Sequence, residues 1–501
     1  MSGQGDSETD RPSDEAPEGP DAAEGVVADR RAKLERLRAA GTEPFPHAYP
    51  GVTPIADVRA AHDGLEPGAE TEDRHRVAGR LVARREQGKA AWLDLVDRSG
   101  RIQLHARRDE LGEEGLVRLL ELDLGDILGV DGRAFVSRRG ELTLRVEDFA
   151  LLAKSLRPPP DKYHGVTDVE TRYRRRELDL IANPETRELF EARAKIVSAT
   201  RRHLDGAGFV EVETPVLQPL YGGALSRPFT THHHSLDRTL YLRIATELYL
   251  KRLIVGGLER VYEIGKDFRN EGLSTKHSPE FTMLEWYEAY ADYNDAAARL
   301  EALVSGVAKA VDYSGEIHFD QPWRRVTLSD AITEQTGIDI LANRDRDALV
   351  GVIEASSVDL ETGGRTWAQL VDDLLSKVVE PTLEQPTFVT DYPVELSPFA
   401  KAHREIPGLV ERWEAFAGGM EFANAFTELN DPDEQRARFE AQRAGAAAGD
   451  EEAQPFDEPY LEALEQGMPP TGGVGVGMDR LVMLLTGRRT IRDVVLFPAM
   501  R

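Results

Sequence analysis

The sequence predicts an α+β protein with more than one domain, in which a small β-barrel precedes a larger mixed domain of helices and strands. At 501 residues and 41% hydrophobic content, the chain is too long for a single core and too apolar for general disorder. From His75 to Leu151, short hydrophobic runs have a period of about two, which is typical of the strands of a small barrel. Three consecutive prolines at 158–160 end this pattern, and longer helical and strand-like segments follow them.

Proline and glycine mark the expected domain boundaries. Residues 29–156 are predicted to contain a short helix and then the barrel, and residues 157–182 are predicted to form a linker that begins at the prolines. Residues 183–501 are predicted to form the larger domain. That domain should begin with a long helix, because Pro184 suits the first turn of a helix and Gly206 suits its end.

The composition limits the chemistry that the chain can perform. It has no cysteine, which excludes disulfides, thiolate metal sites and a cysteine nucleophile. A metal ion would therefore need oxygen or imidazole ligands, and magnesium suits carboxylates best. No run approaches the roughly 18 apolar residues that a membrane helix needs, and the N-terminus is acidic where a signal peptide would be basic. We expect a cytoplasmic protein with no membrane span.

The net charge of −27 is distributed unevenly along the chain. Residues 1–29 hold nine acidic residues and one arginine, and we expect residues 1–28 to be a disordered acidic tail. By contrast, residues 74–108 contain ten lysines and arginines against three acids. A local basic face is typical of a nucleic-acid contact, and the alternative is an ordinary solvated strand surface.

One segment of the larger domain carries an arginine suited to adenylate chemistry. Residues 260–272 and 278–285 predict two strands joined by a polar loop. Arg269, at the end of the first strand, offers a planar fork that can bind a phosphate and a carboxylate together. That is the requirement for joining an amino acid to the α-phosphate of ATP. The alternative is a surface ion pair between Arg269 and a neighbouring acid, Glu271 or Asp267.

Three motifs give the chain a specific resemblance. The string Phe268-Arg-Asn-Glu-Gly272, with His277 and Phe281 after it, resembles the second signature motif of class II aminoacyl-tRNA synthetases. Residues 208–215 and 472–481 are similar to the first and third motifs, and the glycine spacing of the last does not fit a dinucleotide-binding loop. The chain as a whole resembles a class II lysyl-tRNA synthetase of the bacterial type. The resemblance implies an N-terminal OB-fold barrel and a catalytic domain with an antiparallel sheet flanked by helices.

The resemblance implies how ATP binds. Arg269 is expected to hold the α-phosphate and the amino-acid carboxylate, and Arg480 is expected to contact the γ-phosphate, so these two arginines are the expected catalytic residues. Glu271 and His277 are expected to contact the nucleotide, and Phe281 is expected to stack on adenine, a contact that typically contributes about 1 to 3 kcal/mol per base.

The resemblance also implies a magnesium site. Glu421 and Glu428 are expected to hold Mg²⁺ that bridges the ATP phosphates, so Glu421 counts among the ATP-binding residues. Spacing alone does not support this pair, because residues seven apart would face opposite sides of an unbroken strand.

The choice of amino acid can be argued from charge. Lysine carries two ammonium groups and one carboxylate, so its pocket needs acids beyond those that serve magnesium, and Glu247 and Glu285 are the surplus. The resemblance assigns Glu247 to the α-amino group, and Glu285 with Tyr287 to the side-chain ammonium. For Glu247 the alternative is a helical ion pair with Lys251. The other expected lysine-binding residues are Gly223, Arg269, Asn424, Phe426 and Glu428.

The barrel resembles the anticodon-binding OB domain of the family. Trp92 is expected to stack on an anticodon base, and Gln103 and Glu141 could hydrogen-bond base edges. Arg80 completes the expected anticodon-binding residues.

The resemblance implies a lysine–tRNA ligase that activates L-lysine with ATP and transfers it to tRNA(Lys). The first motif, with the helix before it, forms the dimer interface in the family, so a homodimer is expected. Two alternatives remain: a lysine ligase that acts on another acceptor, and a non-catalytic regulator that binds tRNA or lysine. Intact Arg269, Glu421 and Arg480 disfavour the regulator.

Overall fold

A computed structural model describes most of the chain, and it divides into two compact units, Met1–Pro184 and Glu185–Arg501. The described residues are 20–160, 165–224, 226–320, 322–447 and 455–500. Each unit has its own hydrophobic core. Within the described residues, none of the helices is both long and apolar enough to cross a membrane.

The first unit is built on a closed barrel of five strands. The strands are β1 (Glu70–Gln87), β2 (Ala90–Val96), β3 (Arg101–Arg107), β4 (Ile127–Val136) and β5 (Leu142–Ala153). The helices of this unit are α1 (Pro20–Ala39), α2 (Ile55–Ala61), α3 (Arg108–Leu120), α4 (Val169–Arg174) and α5 (Arg176–Ala182). The strand order is β1-β2-β3-β5-β4, and β4 pairs with β1 to close the barrel. Only the β3–β5 pair is parallel among these strands.

The alternating pattern of the sequence explains the barrel. Leu93, Leu95 and Leu104 are fully buried in its core, while their neighbours Trp92 and Gln103 are partly exposed on the outside. The prediction of an N-terminal barrel is confirmed.

Two of the predicted segment assignments need correction. Helix α1 begins at Pro20, so residues 20–28, expected to be disordered, are helical; residues 1–19 lie outside the described residues. The expected linker, residues 157–182, contains α4 and α5, and residues 161–164 within it lie outside the described residues. Apolar side chains explain why part of this segment folds, because Tyr173 of α4 is buried.

The second unit combines a large sheet, a small sheet and helices. Its helices are α6 (Pro184–Gly206), α7 (Glu247–Val255), α8 (Tyr293–Ala310), α9 (Leu328–Thr336), α10 (Arg346–Ala355), α11 (Trp367–Leu374), α12 (Pro432–Ala447), α13 (Glu458–Leu464), α14 (Met478–Thr486) and α15 (Ile491–Val494). Its strands are β6 (Val210–Glu211), β7 (Leu217–Gln218), β8 (Thr230–His233), β9 (Arg238–Leu242), β10 (Arg260–Phe268), β11 (Glu280–Ala289), β12 (Arg324–Thr327), β13 (Thr387–Pro393), β14 (Leu409–Ala417), β15 (Met420–Thr427) and β16 (Thr471–Gly477).

The large sheet has eight strands in the order β12-β13-β14-β15-β16-β11-β10-β6. Neighbouring strands are antiparallel from β13 to β10, and the outermost pairs, β12 with β13 and β6 with β10, are parallel. The small sheet has the order β7-β9-β8. The predicted antiparallel sheet flanked by helices is therefore confirmed.

Helices pack on one face of the large sheet and form the main core with it. Leu300 of α8 and Leu481 of α14 join this core, together with Trp286 and Trp413 from the strands. Helix α6 begins at Pro184 and ends at Gly206, as its proline and glycine predict. The residues that alternate with this core along the central strands lie on the opposite face.

Candidate active site and nucleic-acid interface

The central strands of the second unit line a cavity of about 380 Å³, a size typical of small-molecule sites. The predicted ATP, lysine and magnesium residues all lie in its wall: Gly223, Glu247, Arg269, Glu271, His277, Phe281, Glu285, Tyr287, Glu421, Asn424, Phe426, Glu428 and Arg480. The structure therefore brings together residues that are far apart in the sequence. The part that each residue takes in the reaction stays a prediction.

Alternation along β11 explains one wall of the cavity. Phe281, Met283, Glu285 and Tyr287 occupy every second position of this strand and all line the cavity. Trp286, between two of them, points into the core. The strand therefore runs from an aromatic side chain at one end to an acid and a tyrosine at the other.

A β-bulge explains how Glu421 and Glu428 can face the same cavity. Ala415 of β14 pairs with Ala423, but the next residue of β14, Phe416, pairs with Glu421. Phe422 is thus an extra residue in β15, and one extra residue reverses the side of the sheet for everything before it. The expectation from spacing, that Glu421 and Glu428 face opposite sides, fails for this reason.

One end of the cavity is rich in arginine. The guanidinium of Arg269 lies 5.1 Å from the centre of the Phe281 ring. Arg480 donates to the backbone oxygen of Glu421 at 2.7 Å and to its carboxylate at 2.9 Å. The Arg480 Nη2 atom also lies 3.3 Å from Nε2 of His277, and burial, together with the charge of Arg480, lowers the pKa of this histidine. These groups present positive charge and a planar ring to one ligand.

Glu271, a further acid at this end, is held by the connection between β7 and β8 of the small sheet. Ser226, which is buried, donates to Oε1 of Glu271 at 2.6 Å. Among the described residues no ion pair joins Arg269 to Glu271, and Nε of Arg269 donates to the backbone oxygen of Ile244. The charge of Arg269 does act on the other acid of that alternative, Asp267, where it opposes the rise in pKa caused by burial.

The opposite end of the cavity contains three buried glutamates. Nζ of Lys251 lies 2.6 Å from Oε1 of Glu247 and also forms an ion pair with Glu428. The alternative for Glu247, an ion pair with Lys251 along α7, is therefore confirmed; Glu247 also lines the cavity, and its contact with the α-amino group stays a prediction. Burial raises the pKa of Glu428 to about 8, because the nearby charge of Glu247 adds to burial and Lys251 only partly offsets them.

Glu285 is the third buried acid. The backbone N–H of Thr246 donates to its Oε1, and the Tyr287 hydroxyl donates to its Oε2, each over 3.4 Å. Burial raises the pKa of Glu285 to about 8, and the charges of Asp267 and Glu247 add to the rise. Without a cation in the cavity, this carboxyl group therefore holds a proton at neutral pH.

The floor of the acidic end is a strand of glycines. Gly473 pairs with Tyr287 on one side and with Phe426 on the other. A Cβ atom at this position would collide with Oε1 of Glu428 and with the Tyr287 ring. A glycine is therefore needed at position 473 to make room beside the acids.

Two charged residues of the cavity wall were missed from the sequence. Glu414 and Arg412 lie on β14 opposite Asn424 and Phe426, and Arg412 donates to Oδ1 of Asn424 at 3.1 Å. Burial raises the pKa of Glu414 to about 7, although Arg412 opposes the rise and Glu421 adds to it. Their signal was readable, because charged side chains alternate with apolar ones along this strand.

The outer face of the barrel carries a separate group of aromatic and polar side chains. Trp92 stacks on His105 across the β2–β3 pair, with ring centres 4.1 Å apart. Gln103, on the same face, accepts from the Thr143 hydroxyl at 3.2 Å, and Glu141 precedes that threonine in the chain by two residues. His105 was missed from the sequence, although its position opposite Trp92 follows from strand pairing.

Arg80 lies apart from Trp92, the predicted stacking residue. It donates to the backbone oxygen of Gly125 at 2.8 Å, and it pairs across the strands with Val96. Trp92 instead lies opposite Arg85, which is exposed. Four residues along β2 separate the two positions, or about 13 Å at the usual rise per residue.

Neighbouring acids balance much of the basic segment 74–108. The arginines that form ion pairs are Arg74, Arg76, Arg84, Arg101, Arg107 and Arg108. The alternative of a solvated strand surface therefore holds for these positions. Exposed Arg85, Lys89 and Arg98 carry the remaining positive charge near the outer face.

Comparisons with known proteins agree with this geometry. A family model described as tRNA synthetases class II (D, K and N) matches residues 168–501, and a model of an OB-fold nucleic acid binding domain matches residues 75–152. A lysine–tRNA ligase from Pelotomaculum thermopropionicum is 50% identical over 94% of this chain and 94% of its own length. The corresponding ligase from Roseiflexus castenholzii is 52% identical over 94% of this chain and 98% of its own length. The chain therefore belongs to the class II tRNA synthetases, and within them to the lysine–tRNA ligase family.

Proposed function

We propose that this chain activates L-lysine with ATP and transfers the lysyl group to tRNA(Lys). The observation that carries the proposal is the cavity of the second unit, with arginines at one end and buried glutamates at the other. ATP and the lysine carboxylate are anions, while the two lysine ammonium groups are cations. A cavity divided in this way matches the pair of substrates in sign and in position.

The acidic end supports lysine as the amino acid. Glu247, on α7 beside Gly223, would receive the α-ammonium, and Glu285 with Tyr287 would receive the side-chain ammonium. Glu428 lies against Lys251 on the same side, so we assign it to the lysine pocket together with Glu247 and Glu285. An amino acid with an uncharged side chain would leave Glu285 without a cationic partner, which is costly.

The reaction would proceed in two steps. A carboxylate oxygen of lysine attacks the α-phosphorus of ATP, the bond to the β-phosphate oxygen breaks, and pyrophosphate leaves. The terminal ribose hydroxyl of tRNA then attacks the carbonyl carbon of the adenylate, and AMP leaves. Arg269 would hold the α-phosphate and the carboxylate together, and Arg480 would offset charge on the γ-phosphate. The residues thus act by positioning and by charge stabilisation, without an enzyme nucleophile.

The remaining nucleotide contacts follow from the same end of the cavity. Phe281, partly exposed and next to Arg269, would stack on adenine. Glu271 and His277 would contact the rest of the nucleotide, and Asn424 and Phe426 would line the lysine pocket.

The wall of the cavity also fits a magnesium ion. The carboxylates of Glu421 and Glu414 offer the hard oxygen ligands that Mg²⁺ prefers. Burial is the main cause of the raised pKa of Glu414, and the charge of Glu421 adds to it, so a cation would relieve the repulsion between the two acids. Bound there, Mg²⁺ would neutralise charge on the ATP phosphates. The sequence predicted Glu428 as the second ligand, and each of the two acids already has a cationic partner, Lys251 for Glu428 and Arg412 for Glu414. We propose Glu414 for that position because its pKa responds to the charge of Glu421, whereas that of Glu428 responds to Glu247.

The dimer and the site of action are also proposals. Four apolar residues are each more than 40% exposed: Val210 in the first motif, Val216 and Leu217 directly after it, and Leu258 in the loop before β10. Such apolar exposure around a sheet edge supports a homodimer. The cytoplasm is the proposed location, because the proposed substrates ATP and tRNA are present there.

The direct test is exchange of radioactive pyrophosphate into ATP, followed by charging of tRNA(Lys) with labelled lysine. We expect exchange that depends on lysine and charging that depends on tRNA(Lys). Exchange without charging would support a ligase for another acceptor. Lysine binding without exchange would support a regulator, and neither binding nor exchange would contradict the proposal.

A further inference from the structure

Lys251 lies behind the wall of the acidic end, where it contacts two of the lining glutamates, and no step proposed above uses it. The side chain is fully buried on α7, one helical turn after Glu247. Its Nζ contacts the carboxylates of Glu247 and Glu428, and it lies 5.2 Å from the centre of the Phe399 ring. A buried lysine is costly unless its charge is matched, so this position demands an explanation.

Lys251 contacts one carboxylate oxygen of each of its two partners, Glu247 and Glu428. It contacts Oε1 of Glu247, and the other oxygen of that carboxylate lies near Gly223, 3.7 Å from where a Cβ atom would stand. It contacts Oε2 of Glu428, and the other oxygen of that carboxylate lies beside Gly473. Both glycines line the cavity. One oxygen of each acid therefore contacts Lys251, while the second lies beside a glycine that lines the cavity.

The charges of the cluster match the substrate. Glu247, Glu285 and Glu428 carry three negative charges when ionised, and Lys251 carries one positive charge, which leaves two. L-Lysine brings two ammonium groups to this end of the cavity. Without Lys251, Glu247 and Glu428 would repel each other in a buried site, and they would separate or take up a proton.

We propose that Lys251 is a positioning residue for substrate specificity, which fixes Glu247 and Glu428 side by side and sets the charge of the pocket to match a diammonium amino acid. The inference rests on the lysine pocket proposed above. It predicts that loss of the Lys251 charge weakens lysine binding selectively. ATP binding should remain, because the arginines that serve it lie at the other end of the cavity.

The test uses Lys251→Met in the full-length chain, since methionine keeps most of the length and removes the charge. In pyrophosphate exchange, KM for lysine should rise by about 10- to 100-fold, less than for the loss of a direct partner of the substrate, because Lys251 acts on lysine through Glu247 and Glu428. KM for ATP should stay within about threefold, because ATP does not contact the cluster. An equal rise in both constants, or an unchanged KM for lysine, would overturn the proposal.

Lys251→Arg separates charge from packing. Arginine is larger but keeps the positive charge and can reach two carboxylates, so the proposal expects a smaller rise in KM for lysine than with methionine. A role in packing alone predicts the opposite order, which would overturn the proposal. If Lys251→Met folds poorly, the arginine variant still tests the proposal. A folded Lys251→Arg enzyme should keep near-normal lysine dependence, because it keeps the positive charge.

Lys154→Met is the matched control. Lys154 is also fully buried between two acids, Asp123 and Asp126, but it belongs to the barrel unit. Its loss should lower the thermal stability of that unit and leave KM for lysine unchanged. The wild type separates the two levels of inference. Without lysine-dependent exchange in the wild type, the proposed function fails; with it, and with an unaltered Lys251→Met variant, only this inference fails.

Discussion

At the scale of single residues, the cavity has ionisable carboxyl groups at buried positions, where a charge is energetically unfavourable. Glu285 and Glu428 are almost fully buried, and each has a pKa raised to about 8 by burial and by neighbouring acids. Such an arrangement does not stabilise the fold, because a raised pKa means that the site disfavours the ionised carboxylate. Each pKa unit corresponds to about 1.4 kcal/mol of this preference. The cost makes sense as preparation for a cationic ligand, whose ammonium groups would ionise these carboxyls and pair with them.

These raised values predict how lysine binding depends on pH. Below about pH 8 the empty pocket holds a proton on Glu285, and lysine must displace it, so KM for lysine should fall as pH rises from 6.5 to 8 and then level off. One displaced proton gives a change of up to about tenfold per pH unit. Exchange assays at several pH values measure this, with KM for ATP as the control. A KM for lysine that is constant from pH 6.5 to 8 would contradict the assignment.

The raised pKa of Glu285 also determines how its contribution to folding stability changes with pH. The folded chain keeps a proton on Glu285 up to about pH 8, whereas an unfolded chain loses it near the ordinary value of 4.5. The folded state therefore binds more protons in this window, and the contribution of Glu285 to stability decreases as pH rises through it. Lysine should offset that loss by binding only the folded state.

At the scale of elements, two departures from regular strands shape the site. The bulge at Phe422 brings Glu421 to the face that carries Asn424 and Phe426, and no spacing rule could have found it because a bulge leaves no fixed sequence signal. Alternation did predict that Phe281 and Glu285 share a face of β11, and the structure confirms it. Regular periodicity could thus be read from the sequence, whereas the insertion in the ladder could not.

The glycine strand β16 gives the second prediction at this scale. Gly473→Ala should push Glu428 and Tyr287 from their positions, and we expect KM for lysine to rise by at least about tenfold, since overpacking typically costs 1 to 3 kcal/mol. Gly351→Ala is the control, because a Cβ atom there meets no other atom within 4 Å. Exchange kinetics and thermal unfolding of both variants measure the effect. Normal lysine kinetics in Gly473→Ala would show that its close contacts relax without moving the acids.

Other parts of the site lay beyond sequence reasoning for a different reason. The partnership of Lys251 with Glu428 joins α7 to the end of β15, and the pairing of Arg80 with Gly125 draws it away from Trp92. Both depend on tertiary packing between segments far apart in the chain. The resemblance supplied the list of residues, but only the fold could say which of them lie side by side.

At the scale of the whole molecule, the two units divide the work. The barrel should serve tRNA alone, so Trp92→Ala should weaken tRNA binding by about 1 to 3 kcal/mol, or roughly 5- to 150-fold, through loss of one stacked base. Lysine-dependent pyrophosphate exchange, which needs only the second unit, should be unchanged. Aminoacylation kinetics with varied tRNA measure the first effect. Equal loss in the exchange and the charging reactions would refute the division.

The proposed dimer also belongs to this scale. The double substitution Val210→Asp and Leu217→Asp places negative charge in an exposed apolar patch. It should convert a dimer to a monomer at micromolar concentration. Leu341→Asp is the control, because this leucine is 39% exposed elsewhere in the same unit. Sedimentation velocity measures the mass of each variant. A wild type that sediments as a monomer, or a double variant that remains dimeric, would rule out this interface.

The central claim is that buried carboxylates choose the amino acid, and pyrophosphate exchange with lysine and norleucine tests it most directly. Wild type should activate lysine and reject norleucine, which has the same carbon chain and α-ammonium group but no side-chain ammonium. Glu285→Gln should raise KM for lysine by about two to four decades, the cost of removing one partner from a buried charge pair, and leave KM for ATP nearly unchanged. A Glu285→Gln enzyme with near-normal lysine dependence, or a wild type that activates norleucine as well as lysine, would contradict the account.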